Sequence, residues 1–276
     1  MKKIFVILYG VCLLFLFGCV DHTAKKSQSD IEIRQRQCNI LAVENKKIDY
    51  NKFIKEICGC DWDGTRRGEI AVDGVTHYWD IYDTSFIYYN DKILMDIDDK
   101  TARKISEDIL SALDIDEWSG ILKTKESTNG SFVFEYNFEY GGKMLLGNKV
   151  ISVSGSDKTL SGSYIEICID EKYGVYCFVS NLLDIKGIDE ELYEEDFLTT
   201  DDVCEKILLY YNEIQKDTSK EMDTDFIVKE SEIIYMPYLR NNQYVLMPVY
   251  DILIEIDGIE LRTLVDVKSG YIYALN

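Results

Sequence analysis

Residues Tyr250–Asn276 read YDILIEIDGIELRTLVDVKSGYIYALN, and their alternation decides the fold. Asp257-Gly258 is a type I′ hairpin dipeptide, since Asp and Gly tolerate the positive φ angles of both central positions. A two-residue turn there opposes Ile256 to Ile259, Ile254 to Leu261, Ile252 to Thr263 and Tyr250 to Val265. A second turn through Lys268-Ser269-Gly270 then opposes Val265 to Ile272 and Thr263 to Ala274. Side chains alternate along a strand, so Tyr250, Ile252, Ile254, Ile256, Leu261, Val265 and Ile272 share one face. A slip of one residue would bury Asp251, Glu255 and Arg262 instead, which specifies the register. The result is a three-stranded meander whose apolar face needs a cover.

That cover lies upstream. Thr199 and Asp202 have capping-box spacing, and Val203, Ile207, Leu208, Tyr211 and Ile214 follow at helical intervals. A helix followed by antiparallel strands makes an α+β unit. The pattern occurs twice. Asp170-Glu171-Lys172-Tyr173-Gly174 and Asp266-Val267-Lys268-Ser269-Gly270 both read D-x-K-x-G between two strands, 96 residues apart. Helices beginning near Thr101 and Thr199 repeat at nearly the same interval, so the unit is a duplication. In the first copy the analogous register opposes Ile169 to Tyr176, Ile167 to Phe178 and Cys168 to Cys177. Directly opposed cysteines can meet bridging distance, so this register would permit a Cys168–Cys177 disulfide, with free thiols as the other reading.

The helix Thr101–Leu113 places Ala102, Ile105, Ile109, Leu110 and Leu113 together. Phe132, Phe134, Tyr136, Phe138 and Tyr140 form the aromatic face of a strand that turns at Gly141-Gly142, and this face is read as core. Further upstream, Ile31–Asn45 reads as a loosely periodic helix. Asp49 caps a short helix in which Tyr50, Phe53, Ile54 and Ile57 share a face, and Gly59 stops it. Gly74–Tyr82 and Ser85–Tyr89 read as strands.

The chain has 276 residues, 46% of them hydrophobic, and a formal net charge of −20. Such a surface repels nucleic acid and anionic headgroups, so nucleic acid is excluded as a partner. Met1-Lys2-Lys3 followed by apolar Ile4–Phe17 has the form of a secretory signal, and it is short for a membrane span. Val20–Asp30 is polar and reads as a tether. The cysteines at 38, 58, 60, 168, 177 and 204 permit bridging or buried thiols equally. Cys58-Gly59-Cys60 lacks zinc-site spacing, Asp61/Asp63 lacks the rest of a calcium loop, and no metal or cofactor is expected.

Two resemblances follow from these residues. Leu16-Phe17-Gly18-Cys19 resembles the lipobox of bacterial lipoproteins, which implies lipidation at Cys19 and anchorage outside the cytoplasmic membrane. The helix, the strands, Met247-Pro248-Val249-Tyr250 and the closing Val265-Asp266-Val267-Lys268-Ser269-Gly270 resemble the PepSY-type module. That likeness spans about 101–276 and is clearer in the second copy. Paired modules of this type occur in extracytoplasmic regulators of a cell-wall sensor kinase, in spore-germination accessory proteins and in metallopeptidase propeptides. The resemblance implies a PepSY- or cystatin-like α+β fold and no catalytic residues. The motif positions Asp170, Lys172, Gly174, Asp266, Lys268 and Gly270 mark turns.

The expected organisation is a signal over 1–18, a lipidated tether over 19–30, an α+β region over 31–98, and units over 99–197 and 198–276. No GxSxG, HExxH, P-loop or GxGxxG occurs. The two histidines are His22, in the tether, and His77, mid-strand at what reads as a pairing or surface position. The acidic clusters at 96–99, 114–117 and 189–196 read as loops and helix starts. The expected function is a non-enzymatic, lipid-anchored, extracytoplasmic regulator that restrains or senses a membrane or secreted protein or peptide. The alternative is an exported carboxylate-dependent hydrolase or a binder of envelope polymers. A solute receptor fits poorly, because that class needs many parallel strands.

Overall fold

The structure is a computed structural model that describes residues 38–115, 120–126, 130–147, 150–152, 159–215, 226–241, 243–256 and 259–275. The signal, the lipobox with Cys19, the tether and the Asp257-Gly258 turn lie outside these residues. In chain order come β1 (Ile40–Asn45), α1 (Tyr50–Cys58), β2 (Arg67–Val72), β3 (Val75–Ile81), β4 (Ser85–Asn90) and α2 (Asp99–Ala112). Next are β5 (Gly120–Glu126), β6 (Ser131–Tyr140), β7 (Lys143–Met144), β8 (Val150–Ser152), β9 (Thr159–Ser161), β10 (Tyr164–Asp170), β11 (Gly174–Ser180) and β12 (Leu183–Glu190). Last are α3 (Thr200–Gln215), β13 (Ile227–Arg240), β14 (Gln243–Ile256), β15 (Ile259–Asp266) and β16 (Ile272–Leu275). The fold is α+β, with every strand-to-strand ladder antiparallel.

The decisive stretch forms as its alternation dictates. Ile256 pairs with Ile259, Ile254 with Leu261, Ile252 with Thr263 and Tyr250 with Val265. Val265 then pairs with Ile272. Helix α3 covers this face: Tyr211 Oη meets Thr263 Oγ1 at 3.1 Å, and Tyr250 Oη donates to the Leu198 carbonyl at 3.0 Å. The helix starts on the expected box, with Asp202 N donating to Thr199 Oγ1 and Thr199 N donating to Asp202 Oδ2. The opposite face is buried too, at Val249, Leu264 and Tyr273. Asp251 is therefore only 6% exposed although it lies on that second face. Its carboxylate accepts from Arg262 Nε at 2.6 Å, which offsets the cost of burying it.

Two readings need correction. Residues 40–45 are strand and not helix. β1 pairs with β12 along one edge and with β14 along the other, and Ile40 and Leu41 are buried in that seam. Long-range pairing outweighs the weak helical spacing of this stretch. In the first D-x-K-x-G hairpin the register is shifted by one residue from the expected one. Ile169 pairs with Val175, Ile167 with Cys177 and Cys168 with Tyr176. Cys168 and Cys177 consequently point to opposite faces of the sheet, and both thiols are free, so that disulfide is not formed.

The strands make two sheets. One runs β12-β1-β14-β15-β16-β8-β9 with β13 on β14; the other runs β2-β3-β4-β11-β10-β6-β5 with β7 on β6. Within the expected region 31–98, the described residues 38–98 are not a region apart: β2 to β4 extend the second sheet through the β4–β11 ladder, while β1 joins the first through β14. The expected boundary between 99–197 and 198–276 is also crossed, because β8 pairs with β16.

Candidate functional site

Helices α1 and α2 lie side by side on one face of the second sheet. Asp49 caps α1 by accepting from Lys52 N, and Gly59 ends it at φ 74°. Asp98 caps α2 by accepting from Thr101 N. Phe53 of α1 meets the rings of Phe86 and Tyr88, at 4.9 and 5.2 Å between centroids. Ser106 of α2 bonds Tyr136 Oη, and Arg103 sits over Phe134. Phe134 and Phe138 of the aromatic stripe are buried, and Phe132 and Tyr136 pack against the core, but Tyr140 is 42% exposed, so the core reading is corrected at its last residue.

Beside the end of α1 the two helices leave a cleft of about 620 Å³, within the range of small-molecule sites. Its walls are Ile57, Val75, Leu94, Ile105, Ile109 and Val175; its floor holds His77, Tyr88 and Asn90. His77 pairs with Ile70 and Asn90 in the ladders, as a pairing position does, but at 7% exposed it is buried and not at the surface. Its inward direction follows from the ladder, which pairs His77 with Asn90 and Trp79 with Tyr88. His77 Nδ1 lies 2.8 Å from Tyr88 Oη, and Asn90 Nδ2 donates to the same oxygen at 2.8 Å. Asn90 Oδ1 accepts from the backbone amides of Lys92 and Val175. Those two amides fix the Asn90 carboxamide, so its NH2 end must face Tyr88. The tyrosine proton is then free to go to His77 Nδ1, an arrangement that would put the histidine proton on Nε2. Burial holds the His77 pKa below its usual value, with Lys92 acting in the same sense and Asp91 against it. Burial likewise raises the Tyr88 hydroxyl pKa.

The other face of this sheet carries no helix among the described residues. One row across it is Tyr78, Tyr89, Tyr176, Cys168 and Val133, each paired with the next on β3, β4, β11, β10 and β6. The neighbouring row is Asp80, Ile87, Phe178, Glu166 and Glu135. All of these side chains are half-buried. Tyr78 stacks on Tyr89 at 5.4 Å, and Phe178 tilts against Tyr164 at 5.5 Å. Burial, with Glu166 adding to it, pushes the Cys168 thiol up to about 11, so this cysteine is an unreactive part of the surface.

The motif positions take structural roles in both copies. Asp170 Oδ1 accepts from Lys172 N and Tyr173 N; Asp266 Oδ1 accepts from Lys268 N and Ser269 N. Gly174 and Gly270 have φ of 82° and 73°. Lys268 bridges Glu190 and Asp196 at the surface. Sequence reasoning missed the His77–Tyr88–Asn90 floor. The one available signal was Asn90, a polar residue at an inward position of an apolar strand. Among the described residues no group of three His, Cys, Asp or Glu side chains is arranged to hold a metal ion, and no helix is long and apolar enough to cross a membrane.

No family model matches the chain, and no curated protein matches it. Solved structures similar to this chain include two of low identity. One is an uncharacterized protein from Eubacterium rectale, 15% identical over 87% of this chain and 86% of that one, with a TM-score of 0.48. The other is the Bacillus megaterium YpeB C-terminal domain, 11% identical over 93% of this chain and 97% of that one, with a TM-score of 0.37.

Proposed function

We propose that the chain is a lipid-anchored extracytoplasmic binding protein, without catalysis of its own, that restrains or senses a membrane or secreted protein through the open face of its second sheet. The observation that carries this reading is the pair of rows across β3, β4, β11, β10 and β6. They present Tyr78, Tyr89, Tyr176, Ile87 and Phe178 together, with no helix among the described residues laid over them. Aromatic side chains supply large contact area at low entropic cost, as binding surfaces do. The carboxylates on this face, Asp80, Glu166 and Glu135, and a net charge of −20 favour a partner surface that is apolar with a basic margin. The lipobox-like Leu16–Cys19 supports the anchor, and the PepSY-like order of elements supports a regulatory role.

The test is crosslinking in cells followed by recovery from membranes, with the full chain, a Cys19→Ala control and the double variant Ile87→Lys/Tyr89→Lys. One protein should be recovered with the parent and lost with the double variant, whose melting temperature should stay close to the parent's because both positions are half-exposed. The Cys19→Ala chain should leave the membrane fraction. Equal recovery by the double variant would remove the open face from the reading. Recovery of trimmed envelope polymer in place of a protein would favour the hydrolase or polymer-binding alternative.

A further inference from the structure

The cleft between α1 and α2 lies on the face of the sheet opposite the tyrosine rows, and it stands on separate observations. His77 is more than nine-tenths buried, its Nδ1 is occupied by Tyr88, and its Nε2 has no partner among the described residues while the ring lines the cleft. With the Tyr88 proton given to Nδ1, that Nε2 carries the imidazole proton. The floor thus offers one ring nitrogen, open to the cleft, that no hydrogen bond within the described residues satisfies. Above the floor the walls are aliphatic. At the solvent side the lining carries the carboxylates of Glu56, Asp73 and Asp108 against the single ammonium of Lys92. The carbonyl end of α1 also faces the cleft through Glu56–Gly59, and a helix C-terminus favours positive charge.

We infer that this cleft binds an aliphatic amine carrying a hydrogen-bond acceptor at its far end: the acceptor takes the His77 Nε2 proton, the chain lies along Ile105 and Ile109, and the ammonium sits among Glu56, Asp73 and Asp108. A lysine residue within a peptide has this chemistry, and so does a free amino alcohol. Anionic ligands are disfavoured by the same carboxylates.

The test uses the full chain labelled with 15N in its histidines. His77 and the tether residue His22 are the only two histidines, so the assignment is direct. At neutral pH the His77 imidazole should show the Nε2-protonated tautomer, and Tyr88→Phe should perturb that signature. Titration with Nα-acetyl-lysine methylamide should shift the His77 signals to saturation. The norleucine counterpart, which lacks only the ammonium, should bind several-fold more weakly, and the glutamate counterpart should not bind. Glu56→Gln/Asp108→Asn should weaken the lysine probe several-fold and leave the tautomer unchanged. 5-Amino-1-pentanol separates the sources: binding equal to the lysine probe identifies a free amine, and much weaker binding identifies a peptide lysine. An Nδ1-protonated His77, no shift at saturating probe, or equal binding of the lysine and norleucine probes would overturn the inference. None of these outcomes depends on the sheet face opposite.

Discussion

His77 couples the cleft to pH. Burial lowers its pKa from the usual 6.5, so the unfolded chain takes up this proton at a pH where the folded chain does not. Stability therefore falls as pH drops below that value, is fully present above it, and stops falling once the folded-state pKa is passed. A plot of melting temperature against pH should show a step beginning near 6.5 that is absent in His77→Gln. A second step at lower pH should persist in both, because hydrogen bonds hold Asp91, Asp98, Asp202 and Glu190 below their usual values and their contribution is lost on protonation. The two motif glycines give a second prediction at this scale. Gly174 has φ 82°, and a Cβ there would overlap the Asn90 carbonyl oxygen. At Gly270 the nearest atoms are the side chains of Lys206 and Leu198, which are able to move. Both alanine variants lose about 1–2 kcal/mol from the left-handed backbone alone. Gly174→Ala should lose more than Gly270→Ala in denaturant titration, because its neighbour is backbone.

At the scale of elements, the parts that were legible are those whose information is local. Thr199 and Asp202 announce α3, Asp49 and Gly59 bracket α1, and the alternation of Ile252, Ile254 and Ile256 sets the β14–β15 register. Thr199→Ala should cost about 1 kcal/mol, read as a shift in denaturant midpoint with unchanged slope. Ile254 is fully buried under α3, so Ile254→Asp should cost about 3–5 kcal/mol as an uncompensated charge and lower expression accordingly. A variant that melted with the parent would contradict the packing of α3 on β14. The first hairpin shows where local reading fails. Its D-x-K-x-G matches the second copy, yet Ile169 pairs with Val175 where Val265 pairs with Ile272. Three identical motif positions do not determine which residue closes the ladder, and one residue of difference moved Cys168 and Cys177 to opposite faces.

For the whole molecule, what the sequence could not reveal is which distant strands share an edge. Residues 40–45 show no clear period because β1 is buried between β12 and β14, and such a strand needs apolar side chains on both faces. The cleft was equally hidden: His77, Tyr88 and Asn90 are ordinary strand residues until β3 and β4 are laid side by side under α1. The shared edges have an experimental result. Removing Thr199–Asn276 would take away β14 and β16 and so uncover β1 and β8, two strands whose partners lie in the deleted part. The truncated chain should be aggregation-prone, and the intact one should unfold in a single transition followed by near-ultraviolet circular dichroism and tryptophan fluorescence together.

The position of β1 also has a mechanical meaning. It is the first described element of the chain, and it is hydrogen-bonded along both edges to strands far away in sequence. A pull on the preceding segment, directed along the strand, would meet both ladders in shear, with their bonds resisting together and not opening one at a time. Tension entering from the N-terminal side is thereby delivered to the sheet that joins β12, β1 and β14 before it reaches either the cleft or the tyrosine face.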